Sequence, residues 1–286
     1  MFKIIKKQVL AEGVKDIWVE APQIARKRLA GQFVVVRVNE RGERIPLTIV
    51  DSDAESGTLR LIFQEVGKTT YLLGDQDVGD YIQDVVGPLG KPTHVEKFGT
   101  VVCIGGGIGV APVFPIAKAL KAEGNRVLSI IGARTRDLLI LEEEMRNVSD
   151  KLIVTTDDGS YMIKGFVTDA LQSLIDQGEK INQVVAIGPV VMMRAVSRLT
   201  QKYNLPTVVS LNSTMVDGTG MCGGCRVTVG AKTRFVCVEG PEFDGHQVDF
   251  DELMQRQNAY LSQERDSAER YLKEHRHHCR LEETPR

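Results

Sequence analysis

The chain has 286 residues, of which 42% are hydrophobic and 26% charged, a composition typical of a folded globular protein with more than one domain. Its formal net charge of −2 excludes the basic excess of a general nucleic-acid binder. The uncharged run 98–117 is interrupted by glycines and prolines, so it predicts a buried strand and turn and no membrane span. No secretory signal opens the sequence, and we expect a cytoplasmic protein.

The first 97 residues contain short apolar segments separated by breaks with glycine and aspartate. These segments, rich in Val, Ile, Leu and Phe, are 3–9, 14–21, 32–38, 46–51 and 58–65. Several short strands at this spacing predict a small β-barrel or sandwich, with one helical turn near residues 68–73.

From residue 98 the pattern changes to strands that alternate with helices, and this alternation predicts a parallel sheet with crossover helices. After residue 211 glycine and cysteine dominate, and from residue 250 the chain is highly charged with a helical composition. We therefore predict a multi-domain β and α/β protein. Its four parts are 1–97, 98–210, 211–249 and a charged helical tail, 250–286.

A glycine-rich loop joins the first strand of the α/β part to its first helix. It contains Gly105, Gly106, Gly107 and Gly109. Glycines at this place let the backbone approach a pyrophosphate, which the helix N-terminus also favours. The alternative is a turn that needs glycine only for close packing of strand and helix.

Three of the five cysteines lie within sixteen residues, in the pattern Asp217-x4-Cys222-x2-Cys225-x11-Cys237. Plant-type ferredoxins hold a [2Fe–2S] cluster with the spacing C-x4-C-x2-C and a distant fourth cysteine, and Asp217 stands where the first cysteine would be. Three alternatives remain: a zinc ion, a redox dithiol of Cys222 and Cys225, or an Asp217 that only caps a turn. Taken without context, the spacing leaves zinc and iron–sulfur equally open.

The segment 105–112, Gly-Gly-Gly-Ile-Gly-Val-Ala-Pro, is similar to the nicotinamide loop of the ferredoxin–NADP reductase superfamily. Three further segments match that superfamily in order, at 132–137, 157–160 and 188–193. The resemblance implies that NAD(H) or NADP(H) is bound by Gly105, Gly106, Gly107, Gly109, Arg134, Arg136, Asp158, Gly188, Pro189 and Met192. Arg134 and Arg136 suit a 2′-phosphate, but relatives that use NAD also carry arginine here, so the choice of nucleotide stays open.

The same resemblance implies that the strand-rich first part is an FAD-binding barrel. Residues 44–48, Arg-Ile-Pro-Leu-Thr, are the nearest counterpart of the motif Arg-x-Tyr-Ser/Thr, although Leu47 replaces the tyrosine and Arg44 lies one residue further back. Thr48 is then the catalytic residue, with its hydroxyl near flavin N5, and Arg44 neutralises the pyrophosphate. The implied FAD contacts are Arg44, Pro46, Leu47, Thr48, Gly67, Thr69 and Thr70.

The combination of one aspartate and three cysteines resembles the small subunits of NADH-dependent reduced ferredoxin:NADP oxidoreductases. These are related to the electron-transfer subunits of dihydroorotate dehydrogenase, which carry four cysteines. The resemblance covers residues 1–245 and implies FAD, a [2Fe–2S] cluster held by Asp217, Cys222, Cys225 and Cys237, and a nicotinamide nucleotide. It also implies a larger flavin and iron–sulfur partner subunit in a heterodimer, with ferredoxin as an indirect partner and electron bifurcation as the activity.

Two other functions stay open at this stage. One is a dihydroorotate dehydrogenase electron-transfer subunit, and the other is a zinc-stabilised nucleotide-binding module that is not an enzyme.

Overall fold

A computed structural model describes the backbone of residues 1–282 and the surroundings of the side chains of residues 1–274. Cys279 and the last part of the predicted tail therefore lie outside the described side chains.

The N-terminal part is a seven-stranded antiparallel sheet that curls into a near-barrel, in the order β6-β1-β2-β5-β4-β3-β7. Its strands are β1 (Phe2–Ala11), β2 (Val14–Glu20), β3 (Phe33–Arg37), β4 (Arg44–Asp53), β5 (Thr58–Gln64), β6 (Tyr81–Ile82) and β7 (Asp84–Leu89). Two short helices, α1 (Pro22–Ala25) and α2 (Lys68–Gly74), connect them. The inward-facing valines, leucines and isoleucines form one core, so the predicted barrel and its helical turn are confirmed.

The second part is a parallel sheet whose strands alternate with helices, as predicted. It contains β8 (Thr100–Gly106), α3 (Val110–Ala122), β9 (Arg126–Ala133), α4 (Glu142–Asn147), β10 (Lys151–Thr156), β11 (Ile163–Lys164), α5 (Val167–Asp176), β12 (Gln183–Ile187), α6 (Val190–Gln201) and β13 (Thr207–Ser210). The central strands are almost entirely buried, because helices cover both faces.

The third part is anchored to this sheet. A hairpin of β14 (Arg226–Val229) and β15 (Lys232–Phe235) leads into α7 (Val236–Glu239) and β16 (Glu242–Asp244). Strand β16 then pairs antiparallel with β13 and becomes the edge of the sheet, in the order β11-β10-β9-β8-β12-β13-β16. The cysteine-rich part thus shares a sheet with the α/β part, and the boundaries at 97, 210 and 249 stay predictions.

Two helices follow in the tail: α8 (Phe250–Asn258) and α9 (Leu261–Glu282). Asp249 caps α8, since its carboxylate accepts a hydrogen bond from the Glu252 N–H at 2.9 Å. None of the helices within residues 1–282 combines the length and hydropathy needed to cross a bilayer.

Ion pairs fix the barrel against the parallel sheet. The Arg60 guanidinium bonds the fully buried Asp16 within the barrel at 2.8 Å and reaches Glu144 on α4 at 3.1 Å. A second contact joins Asp51 of the barrel to Lys118 of α3 at 3.2 Å. Two strands of the barrel, β5 and β4, are therefore joined to helices of the sheet by charged contacts.

Glu242 lies where the three parts meet. Its carboxylate accepts a hydrogen bond of 2.5 Å from the Thr93 hydroxyl, and it fills the space that a side chain at Gly31 of the barrel would need. Burial raises the pKa of Glu242 to about 7, above the ordinary value for a glutamate.

The raised pKa predicts a pH-dependent stability. The folded protein holds a proton on Glu242 that the unfolded chain has already released, so stability falls as pH rises through the folded-state pKa of about 7. We expect Glu242→Gln to melt higher than the wild type at about pH 8 and to differ less at about pH 5. Thermal melts across this range test the prediction, with Glu12→Gln, an exposed site, as the control. Parallel pH profiles for wild type and Glu242→Gln would contradict it.

Candidate functional site

A cleft of about 910 Å³ lies between the barrel and the carboxyl ends of the parallel strands. In open α/β sheets this edge is where ligands bind. The walls of the cleft are mostly apolar, with a few polar groups from both parts.

The glycine loop forms the centre of the sheet-side wall. Gly106, Gly107 and Gly109 line the cleft at the end of β8, where a single 3₁₀ turn leads into α3. A Cβ on Gly109 would lie 2.2 Å from the Ile187 carbonyl oxygen, so only glycine fits between β8 and β12. Gly105 is buried behind the loop, and a Cβ there would lie 2.8 Å from the Val110 Cα. For Gly105 the structure thus supports a packing role.

The segment after β12 completes this wall. Gly188, Pro189 and Met192 all line the cleft. The Met192 sulfur occupies the space beside Gly106, since a Cβ on that glycine would lie 2.3 Å from it. These three predicted contacts and the glycine loop therefore form one continuous surface.

Of the residues predicted near the adenosine ribose of the nucleotide, some line the cleft and others do not. Arg134 lines the cleft together with Asp157. Arg136 instead lies over the Tyr161 ring, with its guanidinium carbon 5.1 Å from the ring centroid. The Asp158 carboxylate accepts hydrogen bonds from the Ser160 hydroxyl and N–H, which lower its pKa, and it lies outside the cleft walls.

The barrel wall holds part of the predicted flavin set. Pro46, Leu47 and Thr48 of β4 line the cleft, as does Thr70 at the first turn of α2. The Thr70 hydroxyl accepts hydrogen bonds from the N–H groups of Val66 and Gly67 at 2.9 Å and 3.0 Å, which fixes the start of the helix. Arg44, Gly67 and Thr69 do not line the cleft: Arg44 is exposed, and the Thr69 hydroxyl donates to Glu43 at 3.1 Å.

Sequence reasoning missed several residues of the cleft. They are Gln64, Phe166, Thr168, Ser210 and Asn212. Ser210 ends β13 and Asn212 follows it, at the carboxyl end of the strand. The rule that ligands bind at this end of a parallel sheet could have identified both residues from the sequence.

Cys222 and Cys225 lie in the loop before β14, and Cys237 lies in α7 after the hairpin. The Sγ atoms of Cys225 and Cys237 are 3.2 Å apart and buried, while Cys222 is exposed. Burial and the neighbouring Cys225 thiol raise the pKa of Cys237 to about 12, so a metal centre must displace protons to bind here. Cys103 is fully buried in β8, in keeping with a core residue.

Glycines shape the loop that carries these thiols. Gly218, Gly220 and Gly223 have φ angles of +76°, +82° and +67°, a region that L side chains rarely adopt. The Gly224 N–H points at the Cys222 sulfur at 3.5 Å, and the Cys237 N–H points at the Cys225 sulfur at 3.4 Å. Backbone amides that face sulfur are the contacts that tune iron–sulfur centres.

Asp217 makes contacts that stabilise the loop. Its carboxylate accepts hydrogen bonds from the N–H groups of Thr219 and Cys222 at 2.9 Å and 3.0 Å, and the Thr219 bond is the main cause of its lowered pKa. The carboxylate therefore stays ionised beside the thiols. Its role as a fourth ligand stays a prediction.

The donor set fits a [2Fe–2S] cluster, in which each iron takes two protein ligands. Cys225 and Cys237, whose sulfurs are 3.2 Å apart, would suit one iron, and Cys222, three residues before Cys225, would be a donor to the other. Within the described residues, no three His, Cys, Asp or Glu side chains are gathered as a site for a single metal ion.

Two protein families match the chain in agreement with this geometry. Residues 212–249 match the iron–sulfur cluster binding domain of dihydroorotate dehydrogenase B. Residues 103–198 match the oxidoreductase NAD-binding domain.

Curated relatives cover almost the whole chain. The dihydroorotate dehydrogenase B (NAD(+)) electron transfer subunit homolog of Thermotoga maritima is 49% identical over 95% of both chains. The dihydroorotate dehydrogenase B (NAD(+)) electron transfer subunit of Geobacillus thermodenitrificans is 32% identical over 86% of this chain and 96% of its own length.

Solved structures agree. A chain of an NADH-dependent reduced ferredoxin-NADP oxidoreductase, described in terms of flavin-based electron bifurcation, superposes with a TM-score of 0.90 at 48% identity. That match covers 95% of this chain and 98% of the other. Phthalate dioxygenase reductase shares the fold alone, with a TM-score of 0.60 at 18% identity over 80% of this chain and 85% of its own.

Fold and site thus define a redox subunit of the ferredoxin reductase type, which joins a nicotinamide nucleotide domain to an iron–sulfur module. The chain belongs to the family of dihydroorotate dehydrogenase B electron-transfer subunits and their homologues. Its cofactors are FAD, a [2Fe–2S] cluster and NAD(H).

The lack of space for a Cβ at Gly109 predicts that a substitution there weakens nucleotide binding. We expect Gly109→Ala to displace the loop and raise the apparent Kd for NAD(P)H about tenfold to a hundredfold, because its new methyl group meets backbone. Nucleotide titration measures this effect, and flavin content should be retained. Gly178→Asn is the control, since no atom lies within 4 Å of a Cβ at this position and asparagine tolerates its φ of +75°. Equal nucleotide affinity in Gly109→Ala and wild type would show that the loop does not contact the nucleotide.

A second prediction concerns Asp217. Asparagine keeps only one of the two oxygens that accept the loop hydrogen bonds and is a much weaker metal ligand, whereas cysteine binds iron but accepts such bonds poorly. Asp217→Asn and Asp217→Cys together therefore separate the two roles, since a ligand role predicts loss of iron from the asparagine variant and its retention by the cysteine variant. If Asp217 is a ligand, iron retention should weaken about tenfold or more and the visible spectrum should shift. Iron analysis and absorption spectra test this, with Cys103→Ala as the cysteine control outside the loop. A wild-type spectrum and iron content in Asp217→Asn would leave Asp217 as a turn cap only.

Proposed function

We propose that this chain passes electrons between NAD(P)H, FAD and a [2Fe–2S] cluster as the smaller subunit of an electron-bifurcating, NADH-dependent reduced ferredoxin–NADP oxidoreductase. The proposal rests on its likeness to a chain of that enzyme at 48% identity over nearly the full length of both chains.

One structural observation carries the proposal: the cleft and the cysteine loop share a wall of the barrel. Phe33 of β3 pairs with Thr48 of β4 on one side and with Leu89 of β7 on the other. Leu89 in turn packs on the loop, where a Cβ on Gly218 would lie 2.7 Å from its Cδ1. The flavin-side residues and the cluster-side loop are therefore separated by neighbouring strands of one sheet, a short path for electrons.

FAD, when bound, exchanges two electrons with a nicotinamide and single electrons with an iron–sulfur cluster. Thr48 lines the cleft, and its hydroxyl would be available to donate or accept a hydrogen bond to a bound flavin. Gly106, Gly107 and Gly109 allow the nucleotide to approach the backbone. Cys222, Cys225 and Cys237 supply thiolates, and the barrel wall excludes water between cleft and loop.

The cysteine loop also presents a surface that suits a protein partner. Met221, next to the exposed Cys222 in the chain, is 89% exposed, and Val216, near Gly224 in the same loop, is 51% exposed. Exposed apolar side chains of this size favour an interface. We propose that a larger flavin and iron–sulfur subunit binds here, that ferredoxin acts through that subunit, and that the complex is cytoplasmic.

A specific observation also supports the second candidate, the electron-transfer subunit of a dihydroorotate dehydrogenase. Relatives with that name are 32% identical over 86% of this chain. The partner subunit separates the two candidates, because the larger subunits differ in chemistry while this chain's own cleft and loop serve both.

Anaerobic purification from the native host, followed by cofactor counting and identification of the co-purified subunit, tests the function. We expect one FAD per chain and iron and acid-labile sulfide at about two each. We also expect NADH to bleach the flavin absorbance, and the partner to carry its own flavin and iron–sulfur centres. Co-purification with a dihydroorotate-oxidising subunit would select the second candidate. Zinc in a colourless protein would refute both and favour the nucleotide-binding module.

A further inference from the structure

The tail runs from the cysteine module back to the barrel. Helix α8 buries Phe250 and Leu253 and packs against β14 and α6. These contacts fix its position relative to the cysteine module. Helix α9 then packs against α2 of the barrel. The two tail helices thus connect the cluster-binding module to the helix whose first turn lines the flavin cleft.

The contact between α9 and α2 is narrow. Ala268 and Tyr271, three residues apart on one face of α9, are both 8% exposed. Beside them a cavity of about 410 Å³ opens between Lys68 at the start of α2 and the charged residues Asp266, Arg270 and Glu274 of α9. Since this cavity separates the helices over part of their length, the packing depends on Ala268 and Tyr271.

Tyr271 makes a hydrogen bond at the C-terminal end of α2. Its hydroxyl donates a 2.6 Å hydrogen bond to the carboxylate of Asp75, the C-cap residue of α2. Burial and this carboxylate raise the pKa of Tyr271, so the phenol stays protonated as a donor at neutral pH. A hydrogen bond to a charged acceptor is stronger than one between neutral groups.

Helix α2 needs such support. It has seven residues, too few to be stable in water on its own, and Leu73 is its fully buried anchor in the barrel. Thr70 on the same helix lines the cleft. A ligand that requires an ordered α2 loses apparent affinity in proportion to the fraction of molecules in which α2 is disordered.

We propose that α9 is a strap that holds α2 in its ordered position through Tyr271, and that this strap contributes to the retention of FAD. Tyr271 is thus a positioning residue for the flavin site, acting through Asp75 and α2. The inference deepens the proposed function and rests on FAD being the occupant of the cleft.

The test measures flavin release from the full-length protein, purified with its cofactors. Free FAD is followed by its fluorescence after dilution, and iron is counted in the same samples. We expect Tyr271→Phe to release FAD about threefold to tenfold faster than wild type, the effect of one lost hydrogen bond, and Tyr271→Ala more than tenfold faster. Both variants should keep their iron. Glu269→Gln, an exposed site on the same helix, is the matched control and should behave as wild type.

Release of FAD from Tyr271→Ala at the wild-type rate would overturn the strap. Equal loss of iron and FAD in Tyr271→Phe would also overturn it, because that result describes general destabilisation. A wild-type protein that contains no flavin when isolated would instead refute the proposed function, so the two failures are distinguishable.

Discussion

The antiparallel pairing of β16 with β13 is the constraint on which the arrangement of the site depends. Val208, Val209 and Ser210 of β13 pair with Asp244, Phe243 and Glu242 of β16. The chain leaves the sheet at Ser210, forms the cysteine loop, and returns to the same strand, so both ends of the loop are fixed at one edge. Ser210 is the last residue of β13 and lines the cleft together with the glycine loop, so the cysteine loop begins at the same end of the sheet as the predicted nucleotide site.

The barrel is oriented by charges and by shared core. Phe33 and Val35 of the barrel belong to the same buried cluster as Ile104 of the sheet and the two buried thiols, Cys225 and Cys237. The Arg60–Glu144 and Asp51–Lys118 pairs also join the barrel to the sheet, but ion pairs with one exposed partner contribute only modestly to stability. The apolar contact is therefore the main link between the barrel and the cysteine loop.

Much of this architecture was predictable because strand and helix periodicities are local properties of the sequence. The strand-rich start, the alternation after residue 98 and the glycine loop all appear at the predicted places. The pairing of β16 with β13 was not predictable, since it joins residues about thirty positions apart with no local signal. Nor was the burial of Glu242: its neighbours Thr93 and Gly31 come from distant parts of the chain.

The predicted site residues divide for a physical reason. Residues that the motif places within a strand or in a tight glycine turn, such as Thr48 and Gly109, have their positions fixed by the backbone and line the cleft. Long side chains such as those of Arg44 and Arg136 have many rotamers, and their direction is set by neighbours outside the motif. Arg136 lies on Tyr161, a residue just outside the segment 157–160 that the motif includes.

The position of Asp217 is compatible with two roles, a ligand of the cluster and a cap of the turn. Its hydrogen bonds to Thr219 and Cys222 hold the loop in the left-handed turns that three glycines permit. A cysteine at this position would accept such bonds poorly, because sulfur is a weak acceptor. The aspartate therefore stabilises the loop whether or not it binds iron, and its carboxylate adds a negative charge close to the thiols.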